Sequence, residues 1–214
     1  MTPRIGICDY GVGNVRSVAR ALAAAGADVL LSDDCAALDA CDGLILPGVG
    51  AFDAAAFRLQ ESGLGDAVRA VATSGRPVLG VCLGHQLLFE HSDEGARPGL
   101  GLVRGHVRRL DPANGKVPHM GWNRLGIVRQ SRLLEGTADG SYVYFVHSYV
   151  ADATGMDVVA VAERGGEEFP AVVESRNVIG TQFHPEKSGG VGLRIYANFA
   201  ALCAASPAID TWAS

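Results

Sequence analysis

Long apolar runs are missing from this sequence. Hydrophobic residues make up 48% of its 214 positions, yet no stretch reaches the roughly 18 uninterrupted apolar residues of a membrane span. The opening, Met1-Thr2-Pro3-Arg4-Ile5-Gly6, lacks the charged segment and long apolar core of a signal peptide. The expectation is a soluble, cytoplasmic chain. Basic blocks are missing too: 23 acidic residues against 18 basic ones leave a net charge of −5, which argues against a nucleic-acid partner. Cysteine is sparse and unpatterned. There are five, an odd number, and no CxxC pair, so neither a disulfide framework nor a zinc knuckle fits. No metal or other cofactor is expected. No repeat, low-complexity tract or linker divides the chain, and its length suits one domain over residues 1–214 with a substantial core.

What is present is alternation. Arg4–Cys8 reads as a buried strand, followed by the turn Asp9-Tyr10-Gly11-Val12-Gly13. Asn14–Ala25 has helical spacing through Val15, Val18, Ala19 and Leu22, with Gly26 as a stop. Ala27–Leu31, Gly43–Leu46 and Pro77–Val81 read as further strands. Strands separated by helices require crossovers, and hence a mostly parallel sheet. Beyond about residue 100 the helices thin out. Val103–Leu110, Tyr142–Val146, Val158–Ala162, Ala171–Glu174 and Val178–Phe183 follow one another as short strands, for which antiparallel pairing is expected. Val191–Cys203 is helical again.

Two short segments carry chemistry. In Gly80-Val81-Cys82-Leu83-Gly84-His85-Gln86, Cys82 falls where a buried strand meets the helical segment Leu83–Phe89. The glycines at i±2 suit a nucleophile elbow, whose tight turn tolerates only small neighbours. A helix start beside the sulfur favours thiolate. It also leaves the Leu83 N–H without an intrahelical acceptor, able to donate to an oxyanion. Gln86, one turn on, shares the Cys82 face and is a candidate substrate ligand. A buried cysteine between packing glycines would show the same local pattern. In His184-Pro185-Glu186, the histidine ends a strand and the carboxylate follows at a spacing of two, on the same side of an extended chain. Glu186 is thus placed to fix the tautomer of His184, whose second nitrogen serves Cys82 as a base. His91 and His106 have no such partner pattern.

Together these two segments resemble the signatures of the class I, triad-type glutamine amidotransferases. Four more segments support the resemblance: Asp9–Asn14, Pro47-Gly48-Val49-Gly50-Ala51-Phe52, Pro118-His119-Met120-Gly121-Trp122-Asn123 and Tyr144–Tyr149. The similarity runs from about Ile5 to Phe199. It implies an α/β, flavodoxin-like fold with a mixed, mostly parallel central sheet and helices on both faces. It implies Cys82 as nucleophile, His184 as base and Glu186 as orienter. Val49, Gly50 and Leu83 would form the oxyanion hole, and Gly48, Gln86, Glu94, Ser148 and Tyr149 would hold glutamine. Ser92-Asp93-Glu94-Gly95 is equally readable as an ordinary acidic loop. Within the family, the chain is most similar to glutaminase subunits of histidine biosynthesis. These imply a separate (β/α)8-barrel cyclase as partner, docked on Asn14, Met120, Trp122, Asn123 and Lys187. His85, where that subgroup often has Met, also fits the anthranilate and aminodeoxychorismate synthase branch. Lys187 after Glu186, and the Pro118–Asn123 segment, do not.

Overall fold

The computed structural model describes residues 1–153 and 155–205. Its strands are β1 (Arg4–Cys8), β2 (Asp28–Ser32), β3 (Gly43–Leu46), β4 (Val78–Val81), β5 (His91–Ser92), β6 (His106–Arg109), β7 (His119–Ile127), β8 (Ser141–His147), β9 (Tyr149–Asp152), β10 (Val158–Arg164), β11 (Glu167–Ser175) and β12 (Val178–Thr181). Its helices are α1 (Val15–Ala24), α2 (Cys35–Asp39), α3 (Phe52–Glu61), α4 (Leu64–Thr73), α5 (Leu83–Leu87) and α6 (Gly189–Ala205). No helix among the described residues is long and apolar enough to cross a membrane.

Among the described residues, nine strands form one sheet in the order β2-β1-β3-β4-β12-β11-β10-β7-β8, and β5-β6-β9 form a small second sheet. The first five strands of the large sheet pair in parallel. Their arrangement is flavodoxin-like, with the order reversing between β1 and β3. Side chains alternate between two cores. Ile5, Ile7, Ile45, Leu79, Val81 and Ile179 pack on the face covered by α1 and α6. Cys8, Leu44, Leu46 and Val78 pack on the face covered by α2, α3 and α4. Burial on both faces explains why these strands read as continuous apolar runs.

The other four strands pair antiparallel. Parallel ladders therefore make up half of the sheet's pairings and not most of them. One expected element changes sides: β12 is antiparallel to β11 but parallel to β4. The turn after β11, with Arg176 at φ 57°, reverses the chain into the central slot. Asn177 anchors that turn through side-chain bonds to the carbonyls of Ala72 and Arg76, at 2.8 and 2.7 Å. The expected strand over Val103–Leu110 shortens to β6, because Gly105 takes φ 120°. β7 has no counterpart among the strands read from sequence. Its two faces alternate, but neither is uniformly apolar.

Candidate active site

Cys82 follows β4 directly and adopts φ 54°, ψ −108°, a backbone region that side chains rarely occupy. The strain is held from both sides. The Cys82 N–H donates to the Thr181 carbonyl at 2.8 Å, tying the elbow to the end of β12. A Cβ on Gly84 would collide with the Leu46 carbonyl, and one on Gly80 would lie 2.6 Å from the Gly84 carbonyl. The glycines flanking Cys82 are thus required by close backbone approach. α5 is shorter than the expected Leu83–Phe89 helix, ending at Leu87.

β12 delivers the base. Three residues past its end, the His184 N–H donates to the Tyr144 carbonyl at 2.9 Å. Ser188 clamps the turn further: its hydroxyl donates to the His184 carbonyl at 2.7 Å and accepts from the Tyr144 N–H at 3.0 Å. His184 Nδ1 lies 2.8 Å from Glu186 Oε1, with both side chains almost wholly buried. A carboxylate only accepts, so Nδ1 carries the hydrogen and Nε2 is left for Cys82. Tyr196 from α6 donates to the other Glu186 oxygen at 3.4 Å, and burial with the nearby carboxylate holds the phenol well above its usual pKa. Burial of His184 opposes its charge. The nearby Cys82 sulfur and the hydrogen-bonded Glu186 carboxylate outweigh it and raise the pKa to about 9. Burial pushes the thiols of Cys8, Cys41 and Cys203 upward, and none of them lines the cleft that Cys82 and His184 share.

A cleft of about 380 Å³ opens above the sulfur, within the range of small-molecule sites. Val49, Gly50, Cys82, Leu83, Gln86, Glu94, Ser148, Tyr149, His184 and Lys187 all line it. Gly48 lies behind the wall, where a Cβ would come within 3 Å of Gly84 N, Tyr10 Oη and Leu83 Cβ. Gly50 is at φ 98° with room for a side chain beside it, while the Pro47 end of the Pro47–Gly50 segment is packed tightly. That end is held by Tyr10, whose hydroxyl donates to the Pro47 carbonyl at 2.6 Å. Glu94 lines the cleft, but its carboxylate accepts from the Phe52 N–H at 2.8 Å, capping α3. The clasp is reciprocal: Asp53 accepts from the N–H groups of Ala96 and Arg97.

The proposed docking residues divide. Met120 and Trp122 are 63% and 56% exposed on one face of β7. Trp122 meets Tyr144 edge-on across the ladder, and the Lys187 ammonium lies over the Tyr144 ring at 5.5 Å. These side chains form one apolar, cationic patch beside the cleft. Asn123 is on the opposite face, its amide bonded to the Glu163 carbonyl at 2.8 Å. Asn14 is exposed at the start of α1, after a turn whose Gly13 packs near Pro47 and Gly48. Tyr10, Gln182, Ser188 and Tyr196 escaped the sequence reading. Gln182, two residues before His184 and fully buried, points its amide at Cys82 Sγ from 3.9 Å. Its position in the strand leading to His184 was the only signal.

Residues 6–202 match the family described as Glutamine amidotransferase class-I. The chain is 47% identical over 212 residues to the imidazole glycerol phosphate synthase subunit HisH of Gloeobacter violaceus, covering 98% of this chain and 94% of that protein. It is 50% identical to HisH of Geobacillus thermodenitrificans, covering 89% and 92%. Among solved structures it is similar to a glutamine amidotransferase (TM-score 0.74, 24% identity, 94% and 98% covered). It is also similar to PurLQS from Thermotoga maritima (TM-score 0.73, 22% identity, 93% and 98% covered); at these identities the structural likeness speaks for the fold. By sequence match over nearly its whole length, the chain belongs to the class-I glutamine amidotransferase family.

Proposed function

We propose that the chain is the glutaminase subunit of an imidazole glycerol phosphate synthase. In this reading it acts in the cytoplasm as a single domain over residues 1–214, in a heterodimer with a (β/α)8-barrel cyclase. The observation that carries the chemistry is the strained Cys82 at the floor of a cleft it shares with the buried His184–Glu186 pair. Cys82 gives its proton to His184 and its sulfur attacks the side-chain amide carbon of glutamine. The resulting oxyanion is met by the Leu83 N–H and by the backbone of Val49 or Gly50. The C–N bond breaks as His184 protonates the departing nitrogen, releasing ammonia. Water then attacks the glutamyl thioester, His184 takes its proton, the C–S bond breaks and glutamate leaves.

The cleft, the Met120–Trp122 patch and Lys187 are adjacent, which supports ammonia passing directly to a docked cyclase without release into water. There it would be combined with a phosphoribulosyl aminoimidazole carboxamide ribonucleotide, giving imidazole glycerol phosphate and an aminoimidazole carboxamide ribonucleotide. HisH relatives at about half identity do not favour an anthranilate or aminodeoxychorismate synthase role. Reconstitution with the cyclase tests the proposal. Glutamate release should be low for the isolated chain and rise strongly with cyclase and acceptor nucleotide. A chain that gives no glutamate under any of these conditions would overturn it.

A further inference from the structure

Two histidines that the triad does not use face each other across the β7–β8 ladder. His119 and His147 are direct partners in register, and Phe145 and Phe169 flank both rings. His119 Nδ1 is 3.0 Å from His147 Nε2, and His147 Nδ1 is 3.0 Å from the Tyr149 carbonyl. That carbonyl can only accept, so His147 carries its hydrogen on Nδ1. Burial, and then the neighbouring His119, push the His147 pKa down to about 3, so the ring is neutral and its Nε2 accepts. His119 must then donate from Nδ1, which leaves its Nε2 to accept from the Asn123 amide at 3.3 Å. Every donor and acceptor along Asn123, His119, His147 and Tyr149 is set by the carbonyl at the end.

The same carbonyl accepts a second bond, from Gln86 Nε2 at 2.8 Å, and that amide nitrogen also reaches Gln182 Oε1 at 3.1 Å. Both Gln86 amide hydrogens are therefore engaged, and rotating the amide would set two oxygens against each other. We propose that His119 and His147 are positioning residues for the substrate: they hold the Tyr149 carbonyl in place, and that carbonyl turns the Gln86 amide so that its Oε1 is the atom left for the cleft. Gln86 then selects a ligand with an N–H to donate, such as the ammonium or amide of an amino acid. The chain also gives Gln182 its direction, leaving Gln182 Nε2 to donate toward Cys82 Sγ.

This inference rests on the glutaminase reading for its kinetic arm but not for its spectroscopic one. In ¹⁵N-histidine-labelled wild-type chain, two-bond proton–nitrogen correlations should show both His119 and His147 as Nδ1–H tautomers. In the complex with the cyclase, His147→Ala should raise the glutamine KM about five- to tenfold, the range expected for one lost hydrogen bond, with kcat nearly unchanged. His119→Asn keeps a donor close to the Nδ1 position and should recover most of the loss seen in His119→Ala. An Nε2–H tautomer at His147, or a fall in kcat at unchanged KM, would overturn the inference. Wild-type glutamate release with neither signature would reject it and leave the proposed function standing. If the alanine variants do not fold, the wild-type tautomers and His119→Asn still decide.

Discussion

The parallel and antiparallel halves of the large sheet divide the work between them. The parallel half holds the reacting groups: Cys82 follows β4, His184 and Glu186 follow β12, and the β4–β12 ladder brings the two ends together across 102 residues of sequence (184 − 82). Its precision comes from backbone. Gly80 and Gly180 are register partners, and a Cβ on Gly180 would collide with the His85 ring. The antiparallel half holds no triad member. It supplies the cleft wall at Val146 and His147, the carbonyl that receives His184 N–H, and the exposed Met120–Trp122 face. Its precision comes from side-chain hydrogen bonds. Substitutions in the first half should therefore damage chemistry or folding, and those in the second should damage substrate positioning or docking.

The largest effect tests that division at the nucleophile. Cys82→Ser should lower glutamine-dependent synthesis by at least about 10³-fold, while synthesis from added ammonium on the cyclase persists. Normal glutaminase turnover in that variant would remove Cys82 from the mechanism. His184→Ala should come close to the same loss, and Glu186→Gln should cost less, because the carboxylate orients while the imidazole moves the proton. Glu186→Gln should also lower the His184 pKa from about 9, since one of the charges that raises it is gone. A nitrogen-detected histidine titration reads this directly, and an unmoved pKa would mean that Cys82 alone sets it. On the other half, Trp122→Ala with Met120→Ala should weaken cyclase binding by about 10- to 100-fold and leave the His184 titration unchanged. A calorimetric Kd equal to that of wild type would place the interface elsewhere.

The same division explains what was legible in the sequence. The parallel strands β1, β3, β4 and β12 are buried on both faces, so they show as unbroken apolar runs, and glycines that backbone contact makes obligatory flank Cys82. The Cys82 elbow and the His184–Glu186 spacing are local patterns, readable without the fold. β7 was not read as a strand, because its inner face carries His119 and Asn123 and its outer face Met120 and Trp122, so hydrophobic alternation fails. The parallel setting of β12 has no local signal, because its direction depends on β4, with register partners such as Val178 and Val78 a hundred residues apart (178 − 78). Gln182 and Tyr196 became visible only when packing brought them to Cys82 and Glu186. Asn123 follows Trp122 directly in sequence, but neighbours in a strand face opposite ways, so only Trp122 reaches the outer face.

The smallest effect concerns His85, directly behind the elbow. It is wholly buried, meets Phe89 edge-on at 5.3 Å, and neither ring nitrogen has a hydrogen-bond partner among the described residues. Burial holds its pKa at about 3, against 6.5 for the free group. The unfolded chain therefore takes up this proton first as pH falls below about 6.5, and the folded state loses stability from there down toward pH 3. His147 adds to the same slope. His184 works in the opposite sense. Its folded pKa is raised to about 9, so its contribution is fully present below about pH 6.5 and is lost as pH rises through 9. Methionine has a similar size, adapts its shape and carries no unpaired nitrogen. His85→Met should therefore stabilise the chain by about 1–3 kcal/mol near neutral pH and flatten the acid limb, with the alkaline limb unchanged. Urea midpoints at pH 5, 7 and 9 separate the limbs. A variant less stable at pH 7, with its acid limb intact, would mean that His85 is held by a bond methionine cannot replace and that the elbow depends on a polar contact beneath it.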